Sequence, residues 1–159
     1  MSDKVKKIIL QGVFDAKTID GLKKKGIKEA FILEGRPSLQ AAQVTSQQLN
    51  KRKIAPVLIS DNMAGFLFAK DMVKEVWMSY QMADDKGAVC RIGGLILAVL
   101  GKRHKVPVYA CRSSDRIKFM GKPSDLFYFN NTRVAPKGIR AYVPLVEWVP
   151  QKYIKKRYE

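Results

Sequence analysis

Short apolar runs alternate with amphipathic stretches along most of this chain. Val5 to Leu10 (VKKIIL) predicts a strand, and Asp15 to Lys25 predicts a helix that Gly26 stops. Glu29 to Leu33 (EAFIL) is apolar enough for a buried strand. Ser38 is placed to cap a helix reaching about Asn50, with Leu39, Ala42, Val44, Thr45 and Leu49 facing inward. Val57 to Ser60 predicts a third strand, and Asp61 is placed to cap the helix DNMAGFLFAKDM. Val73 to Ser79 predicts a fourth strand, Gly87 to Arg103 a mostly apolar buried helix, and Val106 to Cys111 a fifth strand. From Arg112 the chain reads as loop-rich, with the short segment Leu126 to Phe129 and a closing YVPLVEWVP before a basic tail.

Apolar strands separated by helices imply βαβ units. The expected fold is α/β, a mostly parallel sheet with helices on both faces. The length of 159 residues and a hydrophobic fraction of 47% fit one core. The expected organisation is a single domain over residues 1–150 and a solvated basic tail over 151–159. The amino terminus, MSDKVKK, lacks the apolar segment of a secretory signal, and Leu95 to Leu100 is too short an apolar run to span a bilayer. A cytoplasmic protein without membrane association is expected. With Cys90, Cys111 and the lone His104, neither a disulfide framework nor a Cys/His metal set is expected, and no cofactor is implied.

Ligands of such sheets bind beyond the carboxyl ends of the strands. That edge receives Glu34, Gly35 and Arg36 after the second strand and Asp61 after the third. Tyr80, Gln81, Asp84 and Asp85 follow the fourth. The helices starting at Ser38 and Asp61 aim their amino termini at the same edge, where anions are favoured. The alternative is that Ser38 and Asp61 are only caps and that Glu34 and Arg36 form a surface pair.

Charge changes the picture further. The net charge is +16, from 30 Lys and Arg against 14 Asp and Glu, which favours polyanionic partners. Lys23-Lys24-Lys25, Lys51-Arg52-Lys53 and Lys102-Arg103-His104-Lys105 each follow a helix. Complementing the helix dipole explains any one of them. In a parallel sheet they would also converge, with Lys4, Lys6 and Lys7, on the edge opposite the ligand site. That face is suited to an acidic protein or RNA. His104 falls in this cluster and reads as structural.

The order of motifs resembles one family. Glu34-Gly35-Arg36-Pro37-Ser38-Leu39-Gln40-Ala41-Ala42-Gln43-Val44-Thr45 resembles E-x-R-P-x-L-Q-x-A-x-x-T, and Ser60-Asp61-Asn62-Met63-Ala64 resembles T-D-S/N-M-A. Arg91-Ile92-Gly93 with Lys105 to Tyr109, and Ile139 to Pro150, resemble two further segments. The family comprises 5-methylthioribose-1-phosphate isomerase, ribose-1,5-bisphosphate isomerase and the regulatory subunits of eukaryotic initiation factor 2B. The resemblance implies their carboxy-terminal Rossmann-like domain, similar to ribose-5-phosphate isomerase and CoA transferases, and pairing into a homodimer. The apolar carboxy-terminal segment, with Phe127, Phe129 and Trp148, is a candidate contact or simply core.

The resemblance breaks at the chemistry. Family isomerases carry a Cys after the first strand and an Asp after the fourth. Here Gln11-Gly12-Val13-Phe14-Asp15 has no cysteine, and Gln81 stands at the acid's position unless a shorter loop places Asp84 there. Aldose–ketose isomerisation moves hydrogen between adjacent carbons and needs a matched acid or base. The expected function is therefore non-catalytic binding of a phosphorylated sugar or nucleotide, with Glu34, Arg36, Gln40, Asp61, Gln81 and Arg91 as ligand-binding residues. One alternative is an active isomerase with a rearranged site built on Asp84 or Asp85 and Cys90, whose thiolate a helix amino terminus and Arg91 would stabilise. Another is a basic nucleic-acid- or ribosome-binding protein.

Overall fold

A computed structural model describes residues 6–159. Lys4 and Val5 lie outside the described residues. The chain runs β1 (Lys7–Gln11), α1 (Ala16–Lys24), β2 (Glu29–Leu33), α2 (Gln40–Lys51) and β3 (Ala55–Ile59). It continues through a 3-10 turn (Asp61–Met63) into α3 (Ala64–Ala69), β4 (Val73–Asp84), β5 (Gly87–Arg91), α4 (Gly94–Arg103) and β6 (Val108–Arg112). A long excursion then carries α5 (Ser124–Phe127) and the small hairpin β7 (Tyr128–Phe129) and β8 (Thr132–Arg133). The chain returns through β9 (Val146–Pro150) and ends in β10 (Lys156–Tyr158).

Six strands form a parallel sheet in the order β10-β6-β4-β1-β2-β3. The period-2 alternation of each strand sends side chains to two cores. Ile8, Leu10 and Ile32 pack with Ile19 and Leu22 of α1 and Leu49 of α2. Ile9, Phe31, Val76 and Met78 pack with Leu67 and Phe68 of α3 and Leu97 of α4. Each such side chain contributes about 1.5–3 kcal/mol on burial. The α/β class and the helices on both faces are as the pattern predicts.

Three local expectations are corrected. Residues 87–91 are not helical. They form β5, antiparallel to the outer half of β4, and β9 pairs antiparallel with β5. The basic tail is not a solvated terminus, because Lys156–Tyr158 pairs in parallel with Tyr109–Cys111 as the sheet's edge strand. The second helix starts at Gln40 with Leu39, not Ser38, at its N-cap, although Ser38 Oγ accepts from Gln40 N–H at 3.4 Å. Leu39 takes a left-handed conformation (φ 61°), and Ala41 with Thr45 and Leu49 forms the buried face.

Helix endings share one device. Ile27, Ile54, Met72 and Val106 donate their N–H to the carbonyls of Leu22, Leu49, Leu67 and Gly101, with Gly26, Lys53, Asp71 and Lys105 at positive φ just before them. This is the Schellman arrangement. It turns each helix sharply into the next strand at the sheet's amino edge.

Candidate functional site

The chain leaves β1 toward β2 on one side, while β4 lies on the other, so the sheet's switch point is the carboxyl end of β1. A cleft of about 440 Å³ opens there, between the beginnings of α2 and α4. Its walls are largely apolar, with Leu33, Ala41, Ile92, Ile96 and Leu145 among them. Arg36, Gln40, Asp61 and Arg91 all line it, so four of the six residues expected to bind ligand converge on one cavity.

The junction after β2 is built by reciprocal hydrogen bonds. Gly35 N–H donates to Asp61 Oδ1 (2.9 Å) and Arg36 N–H to Oδ2 (2.8 Å). The amide of Asp61 donates in turn to Glu34 Oε1 at 3.4 Å. Asp61 thus clamps the loop after β2 to the turn after β3, rather than capping α3. Glu34 braces Asp61 and does not line the cleft.

Freed from Glu34, the Arg36 guanidinium lies 4.1 Å from the ring centroid of Phe129. Such a contact uses the planar face and leaves the in-plane N–H groups able to meet an anion. Arg91 is held differently. Its Nη2 donates to the Asp115 carboxylate and, at 3.3 Å, to Gln40 Oε1. With the oxygen of Gln40 turned to Arg91, its NH₂ is free to donate elsewhere.

Sequence reasoning missed three supporting residues. Gln11, at the tip of β1, is buried and donates to the carbonyls of Arg91 and Ile92, both at 3.0 Å. Its Oε1 has no hydrogen-bond donor among the described residues. Asp115 follows β6 on the ligand edge, a position that alone marked it. Glu147 of β9 accepts from Gly93 N–H (2.7 Å) and Leu95 N–H (3.0 Å). A carboxylate from the chain itself therefore occupies the amino terminus of α4.

The residues named for catalysis are not brought together. Asp84 sits at the β4–β5 turn, where Oδ1 accepts from Lys86 N–H (2.7 Å) and Gly87 N–H (3.2 Å). Asp85 is exposed in that turn. Asp84 is opposite Gly87, whereas Cys90 is opposite Tyr80, further along the hairpin. Cys90 precedes α4, on a strand, and burial followed by the nearby Glu147 carboxylate pushes its thiol up to about 12. Cys111 is likewise pushed up to about 12, chiefly by burial. Gln81 is committed to Ile117, donating to its carbonyl (3.2 Å) and accepting from its N–H (3.0 Å). It positions a cleft-wall residue without lining the cleft itself.

Gly12 is fixed by its surroundings in the first loop. At φ +107° and packed on β4, it has no room for a side chain, since a Cβ there would lie 1.9 Å from Ser79 Oγ. Its carbonyl accepts from Thr45 Oγ1 at 2.7 Å, which holds the loop against α2.

Comparison with known proteins accords with this architecture. Residues 16–157 match the model of the initiation factor 2 subunit family. A methylthioribose-1-phosphate isomerase of Thermus thermophilus is 31% identical over 140 residues, 80% of this chain but 42% of that protein. One from Desulforudis audaxviator is 32% identical over 138 residues, 79% of this chain and 40% of that one. The chain thus spans about two fifths of these relatives' length. Among solved structures, subunit delta of the translation initiation factor eIF-2B from A. fulgidus superposes with a TM-score of 0.81 at 19% identity, covering 97% of this chain and 52% of that one. The 5-methylthioribose 1-phosphate isomerase of Pyrococcus horikoshii superposes with a TM-score of 0.80 at 20% identity, covering 98% of this chain and 50% of that one. The eIF2B-beta2-delta2 complex of C. thermophilum, described as tetrameric, also shares the fold (TM-score 0.63, 16% identity, covering 97% of this chain and 50% of that one). With most of its length matched by the family model, this chain belongs to the initiation factor 2 subunit family.

Proposed function

We propose that the protein binds a phosphorylated sugar or nucleotide in the cleft at the end of β1 without converting it, and acts through self-association. The observation that carries this reading is the convergence of Arg36, Arg91 and Gln40 on a cavity whose only carboxylate, among the lining residues, is the backbone-clamping Asp61. The guanidinium of Arg36 suits a phosphate. Gln11 Oε1 lacks a donor among the described residues, and a sugar hydroxyl would supply one. The apolar wall accepts a non-polar substituent. The reading is supported by the two thiols, which are buried and pushed up to about 12, so neither is poised as a nucleophile.

The test is calorimetric titration with methylthioribose-1-phosphate and ribose-1,5-bisphosphate, with each mixture followed by NMR. Saturable binding with the aldose intact, weakened at least tenfold by Arg36→Ala, is expected. Accumulation of ketose product overturns the non-catalytic reading. Absence of binding overturns the site.

A second reading, an active isomerase, is favoured by the names of the relatives about 31% identical to this chain. As expected from the sequence it would use Asp84 or Asp85 with Cys90, and ketose formation by the unmutated chain that Asp84→Asn abolishes would establish it.

Self-association is supported by the beta2-delta2 assembly of the structural relative. Trp148 is 41% exposed and Phe129 37% exposed, and both are available to a second copy. Light scattering is expected to give about twice the 18.0 kDa of one chain, and a monomeric mass at all concentrations would contradict it.

A further inference from the structure

The sheet's amino edge, opposite the cleft, gathers cations that the candidate site does not use. Helices α1, α2 and α4 all end there, delivering Lys24, Lys25, Lys51, Lys53, Arg103 and Lys105. These six are exposed and have no carboxylate partner among the described residues. Of the carboxylates near this edge, Asp71 is held by Lys6 (2.7 Å), Glu29 by Lys7 (3.3 Å) and Asp20 by Arg52 (2.5 Å), while Glu75 accepts from Trp77 Nε1–H (2.7 Å). The helix ends lead into β2, β3 and β6, which sets this row across the four strand steps from β6 to β3, about 19 Å at about 4.8 Å per step. Dipole complementarity accounts for single cations at helix ends, but leaves the accumulated field unpaired.

A second feature adjoins this row. Trp77 of β4 is in register with Tyr109 of β6, and their rings lie 4.6 Å apart. Tyr158 of β10 stacks on Trp77 at 5.6 Å. Trp77 is buried, whereas Tyr109 and Tyr158 are partly exposed. Ammonium groups hover over them: Lys25 is 4.6 Å from the Trp77 ring, Lys156 4.8 Å from Tyr158, and Lys155 6.0 Å from Tyr109.

We propose that this basic edge and its aromatic row bind single-stranded nucleic acid. Lysines meet the phosphates, while bases stack on Tyr109 and Tyr158, the pairing of charge and π-surface that single strands require. A duplex, with its bases enclosed, uses the charge alone. An acidic polypeptide likewise gains little from the rings.

The test is fluorescence anisotropy of the full chain with labelled 20-mers of single-stranded RNA, single-stranded DNA and duplex RNA, across a salt series. Both single strands are expected to bind more tightly than the duplex, with affinity falling linearly on a log–log salt plot. The triple variant K24E/K53E/K105E is expected to lose at least tenfold and to show a shallower salt slope. Tyr109→Leu with Tyr158→Leu is expected to lose about fivefold or more at unchanged slope, and the Phe versions to retain binding. On the unmutated chain, ultraviolet cross-linking and mass spectrometry are expected to mark the Tyr109 and Tyr158 peptides. Duplex preferred over single strands, polyglutamate competing as well as RNA, or cross-links confined to the Arg36 cleft would each overturn the proposal.

Discussion

Glu34 and Arg36 stand two positions apart and serve different partners, the first an amide of Asp61 and the second the face of Phe129. The residue between their roles is Asp61, whose two oxygens each take one backbone N–H. Hydrogen bonds to a charged acceptor are the stronger kind, reduced here by exposure. Asp61→Ala is expected to cost about 1–2 kcal/mol in urea unfolding and Asp61→Asn less, because the amide keeps one acceptor. Gly12→Ala is expected to cost more, about 2–4 kcal/mol, since the new methyl meets Ser79 on a positive-φ backbone. The thiols supply a pH dependence. Cys90 and Cys111 titrate near 12 when folded against an ordinary value of 9.0, so the folded protein retains protons that the unfolded chain releases. Stability from this source is complete below about pH 9 and is lost as pH rises toward 12. Thermal melts from pH 7 to 11 are expected to be level and then to decline, and iodoacetamide at pH 8 is expected to label neither thiol until the chain unfolds. Of these features Asp61 was legible at its strand end, but its acceptance of amides 25 and 26 positions away was not, because periodicity carries no information on which loops meet.

At the scale of elements, the strands and helices through Asp71 followed the hydrophobic pattern closely. The error came at Gly87–Arg103, where the apolar residues of β5 and α4 were read as one helix across Arg91 and the Gly93-Gly94 pair that separate them. The signals that do divide it are Asp84 and Gly87 bracketing a two-residue turn, and Gly93 at φ +93°. The tail was misread for a different reason. Its lysines suggest solvent, yet Ile154 is buried and Tyr158 stacks on Trp77. The helix stops offer a test of element-scale strain. Gly26 was readable, whereas Lys53, Asp71 and Lys105 occupy the same left-handed position without glycine's freedom. Lys105→Gly is expected to raise stability by about 0.5–1 kcal/mol, measured by thermal denaturation. A fall would mean that its side chain has an unrecognised anchoring role.

For the whole molecule, one sheet separates two surfaces. The carboxyl edge holds an apolar cleft rimmed by guanidinium groups, and the amino edge holds most helix-end lysines. That division was readable once strands and helices alternated, because parallel topology sends all helix ends one way. What it could not supply was the closure of the fold by β10, which covers the edge of β6. Truncation after Pro150 is expected to leave β6 as a bare edge beside Tyr109 and to yield aggregating protein in size-exclusion runs. The most direct test of the binding account is a crystal structure of the chain with ribose-1,5-bisphosphate. The expected result is density for the intact aldose in the cleft, one phosphate within hydrogen-bond distance of the Arg36 guanidinium. An empty cleft with the ligand elsewhere, or density for the isomerised ketose, would contradict it.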